Sequence, residues 1–154
     1  MRMPNYNIEV DYRYVSEFNY PFEENSFDVI ICFKVLCYIP TKELRNNYLD
    51  HLYRLLKPGG ICLVTQNIVP DECIDDAVDE DYRKSPASRF PTIERGDCFP
   101  QGEGYVRWFT DGDLEEELRN SKLALTGYQS DEQYGGSGFM RLITLDKGGV
   151  FKCF

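Results

Sequence analysis

Val29-Ile30-Ile31-Cys32-Phe33 is an unbroken apolar run rich in β-branched residues. That pattern predicts a short strand covered on both faces, as in a parallel sheet. Pro40 and Thr41 then open a helix. Along it Leu44, Tyr48, Leu49, Leu52, Leu55 and Leu56 recur at steps of three and four and form one apolar stripe. Lys57-Pro58-Gly59-Gly60 ends it, because proline cannot continue a helix and glycine accepts φ > 0. Ile61-Cys62-Leu63-Val64 is a second apolar strand. A strand–helix–strand unit of this length predicts a right-handed crossover between parallel strands. Ligands of such sheets sit at the carboxyl ends of the strands, here Phe33–Lys34 and Gln66–Asn67.

Elsewhere the pattern is weaker. Asp11–Phe18 alternates and is rich in aromatics (Tyr12, Tyr14, Phe18), which predicts a strand, and Pro21–Ser26 is a turn-rich connection. After Asn67 periodicity stops. Pro70–Asp81 carries Asp71, Glu72, Asp75, Asp76, Asp79, Glu80 and Asp81, and Tyr82–Gly104 mixes Pro, Gly, Ser and charge. Residues 70–106 therefore read as an acidic, irregular insertion or lid within a single domain. Thr110-Asp111-Gly112-Asp113 predicts a capped helix start, with Leu114 and Leu118 on its buried side. Leu123–Tyr128 and Phe139–Leu145 predict two further strands, separated by the flexible Gly135-Gly136-Ser137-Gly138 turn.

A chain of 154 residues with 42% apolar residues can build one real core. The net charge of −9 argues against nucleic acid or an anionic membrane as the main partner, since both demand clustered Lys and Arg. It permits a cationic substrate. Cysteines 32, 37, 62, 73, 98 and 153 form no CxxC pair and read as small hydrophobes in a reducing cytoplasm, with the nucleus a second compartment. His51 is the only histidine, so a zinc site is not expected. No run approaches the ~20 apolar residues of a membrane span.

Three segments carry a resemblance: 20–39 (YPFEENSFDVIICFKVLCYI), 52–64 (LYRLLKPGGICLV) and 108–128 (WFTDGDLEEELRNSKLALTGY). Together they resemble the C-terminal portion of a class I S-adenosylmethionine-dependent methyltransferase. The resemblance implies an α/β fold, a partial Rossmann-like methyltransferase sheet (strands 3 to 7 of the family) with an antiparallel final strand. It implies S-adenosyl-L-methionine as cofactor and methyl transfer to an amine or similar nucleophile, on a small molecule or a protein N-terminus. The family's cofactor loop, D-x-G-x-G-x-G, and the acidic ribose ligand after its second strand do not occur in the sequence. The chain thus reads as a single truncated methyltransferase domain, 1–154. Glu17 and Phe18 match the family's adenine-side positions after its third strand, and Phe33, ending its fourth, would line the same pocket.

The family's sheet order is 3-2-1-4-5-7-6, so without strands 1 and 2 the strand at Val29–Phe33 loses a neighbour. Three outcomes follow: a longer gene product, Tyr12–Phe18 moving across to pair with Val29–Phe33, or a partner chain covering the edge. Pairing of Val29–Phe33 on both sides by other strands of the monomer would contradict this reading.

A narrower resemblance is to α-N-terminal protein methyltransferases, which act on X-Pro-Lys amino termini. Asn67 directly after the second apolar strand, Asp75-Asp76-Ala77-Val78-Asp79, and Asp131-Glu132-Gln133-Tyr134 match that group's motifs. This resemblance implies that Asn67 holds the substrate backbone, that Asp76 and Asp79 orient or deprotonate the amine, and that Tyr134 belongs to the same site. Positioning supplies most of the rate in such an in-line displacement, and a nearby carboxylate can take the amine's proton. Two positions depart from the group's pattern. Lys34 stands where it has a substrate-stacking Trp, and Tyr38 where it has a His. The rival expectation is a non-catalytic methyltransferase-like fragment or interaction module that does not bind cofactor. An NAD-type domain is disfavoured because the sequence holds no G-x-G-x-x-G.

Overall fold

The computed structural model describes residues 9–15, 20–77, 93–100 and 104–148. The expected strand at Val29–Phe33 forms as β1 (Phe27–Phe33). A 3-10 turn at Leu36–Tyr38 then leads to α1 (Lys42–Leu55) and β2 (Leu56–Asn67). Thr41 caps α1, its hydroxyl accepting from Leu44 N at 3.3 Å. β1 and β2 pair in parallel, Val29 with Ile61 through Phe33 with Thr65. The expected Lys57–Gly60 turn lies inside the span of β2, as an irregularity in register between Phe27 and Val29. Glycine is required there. Gly59 has φ +79°, and a Cβ on Gly60 would stand 2.9 Å from Lys57 O and 3.0 Å from Asp28 O.

A 3-10 segment at Asp71–Ala77 follows β2. Two short strands, β3 (Asp97–Cys98) and β4 (Val106–Arg107), pair antiparallel. The span 70–106 is therefore structured in part rather than irregular throughout. Helix α2 (Asp111–Arg119) begins at Thr110, whose hydroxyl accepts from Asp113 N at 3.1 Å. β5 (Ala124–Ser130), a 3-10 turn at Asp131–Tyr134 and β6 (Met140–Asp146) close the described chain. The sheet order is β1-β2-β6-β5, with β6 antiparallel to both neighbours. That is the 4-5-7-6 part of the expected order.

One face of the sheet carries the core. Cys32, Cys62, Val64, Ile143 and Leu145 point into it, against Leu49 and Leu52 of α1 and Leu114 and Leu118 of α2. The opposite face is open. Val29, Ile31 and Phe33 are 48%, 62% and 57% exposed. The expectation that β1 is covered on both faces is thus corrected: among the described residues, helices pack on one face only. β1 pairs with β2 alone, so its other edge is free among the described residues.

The expected strand at Asp11–Phe18 is also corrected over its described part. Residues 11–15 form no strand, and Tyr12 and Tyr14 are each 90% exposed. Alternating aromatics hold a strand only when a face buries them and a neighbour pairs them, and neither is present for Tyr12–Val15. Residues 16–18 lie outside the described residues.

Candidate functional site

The site begins where β1 and β2 end side by side. Lys34 N donates to Thr65 O at 2.8 Å, so the two strand tips stay in register. Lys34 itself adopts φ +53° and turns the chain away from the sheet. Beyond Asn67, Ile68 N donates to Phe139 O and Val69 N to Phe109 O, both at 2.8 Å. Those two bonds carry the chain past the tips of β6 and toward α2. Between these segments and β4 lies a hollow of about 340 Å³. Lys34, Cys37 and Tyr38 line it from the β1 side, Gln66, Asn67, Ile68 and Val69 from the β2 tip, and Val106, Arg107 and Trp108 from β4 and its C-terminal side.

Its chemistry is specific. No carboxylate and no histidine lines it among the described residues. Lys34 makes no ion pair among the described residues, whereas Arg107 Nη1 lies 3.3 Å from Asp97 Oδ1 and 3.4 Å from Glu94 Oε2. Burial pushes the Cys37 thiol above its ordinary range, so it stays protonated at neutral pH. Gln66 is 2% exposed; its Nε2 donates to Asn67 O at 3.2 Å, and its Oε1 has no partner among the described residues.

A second hollow of about 430 Å³ adjoins through Tyr38 and is walled by Pro40, Ile93, Phe99 and Tyr105. There Tyr105 donates its hydroxyl to Asp97 Oδ1 at 2.8 Å. Burial first, and the Asp97 carboxylate second, push the phenol well above its ordinary pKa.

Behind both hollows sits a buried ionic cluster. Arg45 is fully buried; its Nε donates to Glu117 Oε1 at 2.6 Å and its Nη2 to Glu94 Oε2 at 3.0 Å. Burial alone would lower the pKa of Arg45, but Glu117 and Glu94 outweigh it and the guanidinium is held charged. Arg45 and Arg107 both lie over the Phe109 ring, at 5.5 and 5.1 Å.

The sequence-predicted site residues separate. Asn67 lines the first hollow. Phe33 shares the open sheet face with Asn67, through the Phe33–Thr65 pairing, but does not line that hollow. Asp76 is exposed on the Asp71–Ala77 segment and lines neither hollow. Its neighbour Asp75 is held by Arg95 at 2.7 Å. Tyr134 is 71% exposed and donates to Gln129 Oε1 at 3.3 Å, away from both hollows. Glu17, Phe18 and Asp79 lie outside the described residues.

The structure adds Arg107 and Trp108, which sequence reading missed, and gives a place in the lining to Gln66, which the sequence had put at a strand end where ligands collect. Arg45 also had a legible signal: it stands four residues before Leu49, on the buried stripe.

The chain matches the family described as "Methyltransferase domain" over residues 2–64. It is 43% identical over 117 residues to the tRNA N(3)-methylcytidine methyltransferase Mettl2 of Drosophila melanogaster. That match takes in 73% of this chain and 30% of the relative, so the chain spans under a third of the relative's length. Among solved structures, a SAM-dependent methyltransferase from Methanosarcina mazei superimposes with a TM-score of 0.58 at 21% identity, over 84% of this chain and 63% of that one. The 1,6-didemethyltoxoflavin-N1-methyltransferase of Burkholderia thailandensis, with bound 1,6-didemethyltoxoflavin and S-adenosylhomocysteine, gives 0.54 at 16% identity, over 81% and 45%. These structural likenesses carry the fold.

The described residues fit S-adenosylmethionine on one side only. Phe33, more than half exposed at the β1 tip beside a strand edge that is free among the described residues, offers an apolar surface for a ring. The sequence supplies no glycine-rich cradle for the rest of the cofactor.

Proposed function

We propose that the chain is part of a class I S-adenosylmethionine-dependent methyltransferase and that the hollow at the β1 and β2 tips receives the methyl acceptor. The acceptor is a ring nitrogen of a pyrimidine base in tRNA. S-adenosylmethionine, when bound, supplies an electrophilic methyl group on a sulfonium. The single observation that carries the acceptor class is the lining of the hollow, which has Lys34 and Arg107 and no carboxylate or histidine among the described residues. A protonated amine must lose its proton before it can attack, so it needs a base within reach. The N3 lone pair of neutral cytosine is free at neutral pH. It would form the new N–C bond as the methyl–sulfur bond of the donor breaks and a neutral thioether leaves; the base would keep the positive charge, and no proton has to leave. The similarity to Mettl2 supports the same acceptor.

The chain's net charge of −9 opposes broad contact with a phosphate backbone. Only the base pocket is assigned to this stretch, and it is locally cationic. The five described cysteines are free thiols, which suits a reducing compartment such as the cytoplasm.

A second reading, methylation of a protein amino terminus, draws on Asn67 at the mouth of the hollow, with Asp76, Asp79 and Tyr134 as the accompanying groups. Lys34 in the lining works against it by repelling a cationic terminus. Transfer of labelled methyl from S-adenosylmethionine to tRNA and to a Ser-Pro-Lys peptide, offered together, separates the two. Label in the tRNA is expected. Label in the peptide alone overturns the base reading, and label in neither favours a non-catalytic module.

A further inference from the structure

Two buried polar atoms around the strand-tip hollow have no partner among the described residues: Gln66 Oε1, an acceptor, and Arg107 Nε, a donor. Both side chains line the hollow, from β2 and from β4, and they are 2% and 8% exposed. Leaving such atoms unsatisfied costs about 1–3 kcal/mol each, so a native fold that keeps both beside one hollow points to a ligand that completes them. Other polar atoms of both side chains are committed, and the Gln66 amide also lies within hydrogen-bond reach of the Cys37 thiol. Gln66 Nε2 is held by Asn67 O, which fixes Oε1 as the free end of the amide. Arg107 Nη1 is held by Arg95 O at 3.1 Å and by Asp97 Oδ1 at 3.3 Å.

We infer that Gln66 and Arg107 read the base in this hollow, selecting an aminopyrimidine over a dioxopyrimidine. The inference rests on the reading of the hollow as the acceptor site. An aminopyrimidine such as cytosine presents an amino donor and a carbonyl acceptor on either side of its ring nitrogen. Both atoms are closed to solvent in this structure; with the two side chains turned toward the hollow, the amino group donates to Gln66 Oε1 and the carbonyl accepts from Arg107 Nε. The ring nitrogen between them stays unpaired and able to react. Uracil places a carbonyl oxygen where Gln66 needs a donor, so two acceptors face each other. Tyr38 and Trp108, also in the lining, supply aromatic surface for a flat ring. Gln66 and Arg107 are specificity-determining residues in this assignment; neither takes a proton.

The test is titration of cytidine and uridine into the intact chain, read by calorimetry and by the side-chain nitrogen chemical shifts of Gln66 and Arg107. Cytidine is expected to bind on the order of tenfold tighter than uridine and to shift both side chains. Gln66→Leu is expected to abolish the preference by weakening cytidine alone. Arg107→Lys, which keeps a charge facing Glu94 and Asp97, is expected to weaken both nucleosides. Equal binding of the two by the native chain overturns the assignment, as does no binding of either. A Gln66→Leu variant that melts like the native chain and retains the preference also overturns it. The acceptor reading fails separately. Selective cytidine binding without label transfer to tRNA overturns that reading and supports this assignment. Label transfer to tRNA with base preference unchanged in Gln66→Leu overturns this assignment and supports that reading.

Discussion

Arg45 on α1 and Glu117 on α2 form a two-point pair, Nε to Oε1 at 2.6 Å and Nη2 to Oε2 at 3.2 Å, with both side chains buried. The pair joins the two helices that cover the sheet. Through Glu94, which also approaches Arg107 at 3.4 Å, it reaches the wall of the strand-tip hollow. Removing Glu117 leaves the buried guanidinium with Glu94 as its one carboxylate among the described residues. Glu117→Leu is therefore expected to lower the unfolding free energy by about 3–5 kcal/mol in urea denaturation. Arg45→Met added to it is expected to recover most of that loss, because an apolar pair of similar volume carries no desolvation penalty. A double variant as unstable as the sum of both singles contradicts this.

Glu94 gives the cluster a pH dependence. Burial would raise its pKa, but the Lys42 N–H at 3.1 Å and the Arg45 and Arg107 guanidinium groups hold it below its ordinary 4.5. A depressed carboxyl stabilises the fold fully above its unfolded value, and that contribution is lost as pH falls through the folded one. The urea midpoint is expected to drop as pH falls below 4.5, and to drop less in Glu94→Gln. Equal acid sensitivity in the two proteins counts against the cluster.

The open face of β1 makes a different forecast. Ile31 is 62% exposed beside a strand edge that is free among the described residues, an arrangement that invites association. Ile31→Lys is expected to reduce light scattering at high protein concentration. Its unfolding midpoint should stay within about 0.5 kcal/mol of the native one. A large loss of stability would mean that this face is covered in solution.

Much of the fold was legible because its elements announce themselves locally. The Val29–Phe33 run, the α1 stripe, the Lys57–Gly60 turn and the Thr110 cap each depend on neighbours in sequence. What failed depends on distant partners. Tyr12–Val15 has the alternation of a strand but nothing to pair with among the described residues. Val29, Ile31 and Phe33 are apolar enough for a doubly covered strand, yet no helix covers their face among the described residues. At the site, Asn67 was legible as the residue after a strand tip. Asp76 and Tyr134 come from the resemblance to one group's motifs, and the fold leaves both exposed outside the hollow. Arg107 could not be chosen, because only the β3–β4 pairing brings it opposite Gln66.

The pH dependence of methyl transfer tests the central claim most directly. An acceptor nitrogen that is unprotonated at neutral pH predicts a transfer rate nearly flat between about pH 6 and pH 9, with no general base required. A rate rising about tenfold per pH unit below an amine pKa near 8 would contradict it, since a protonated amine would then be the group that the hollow receives.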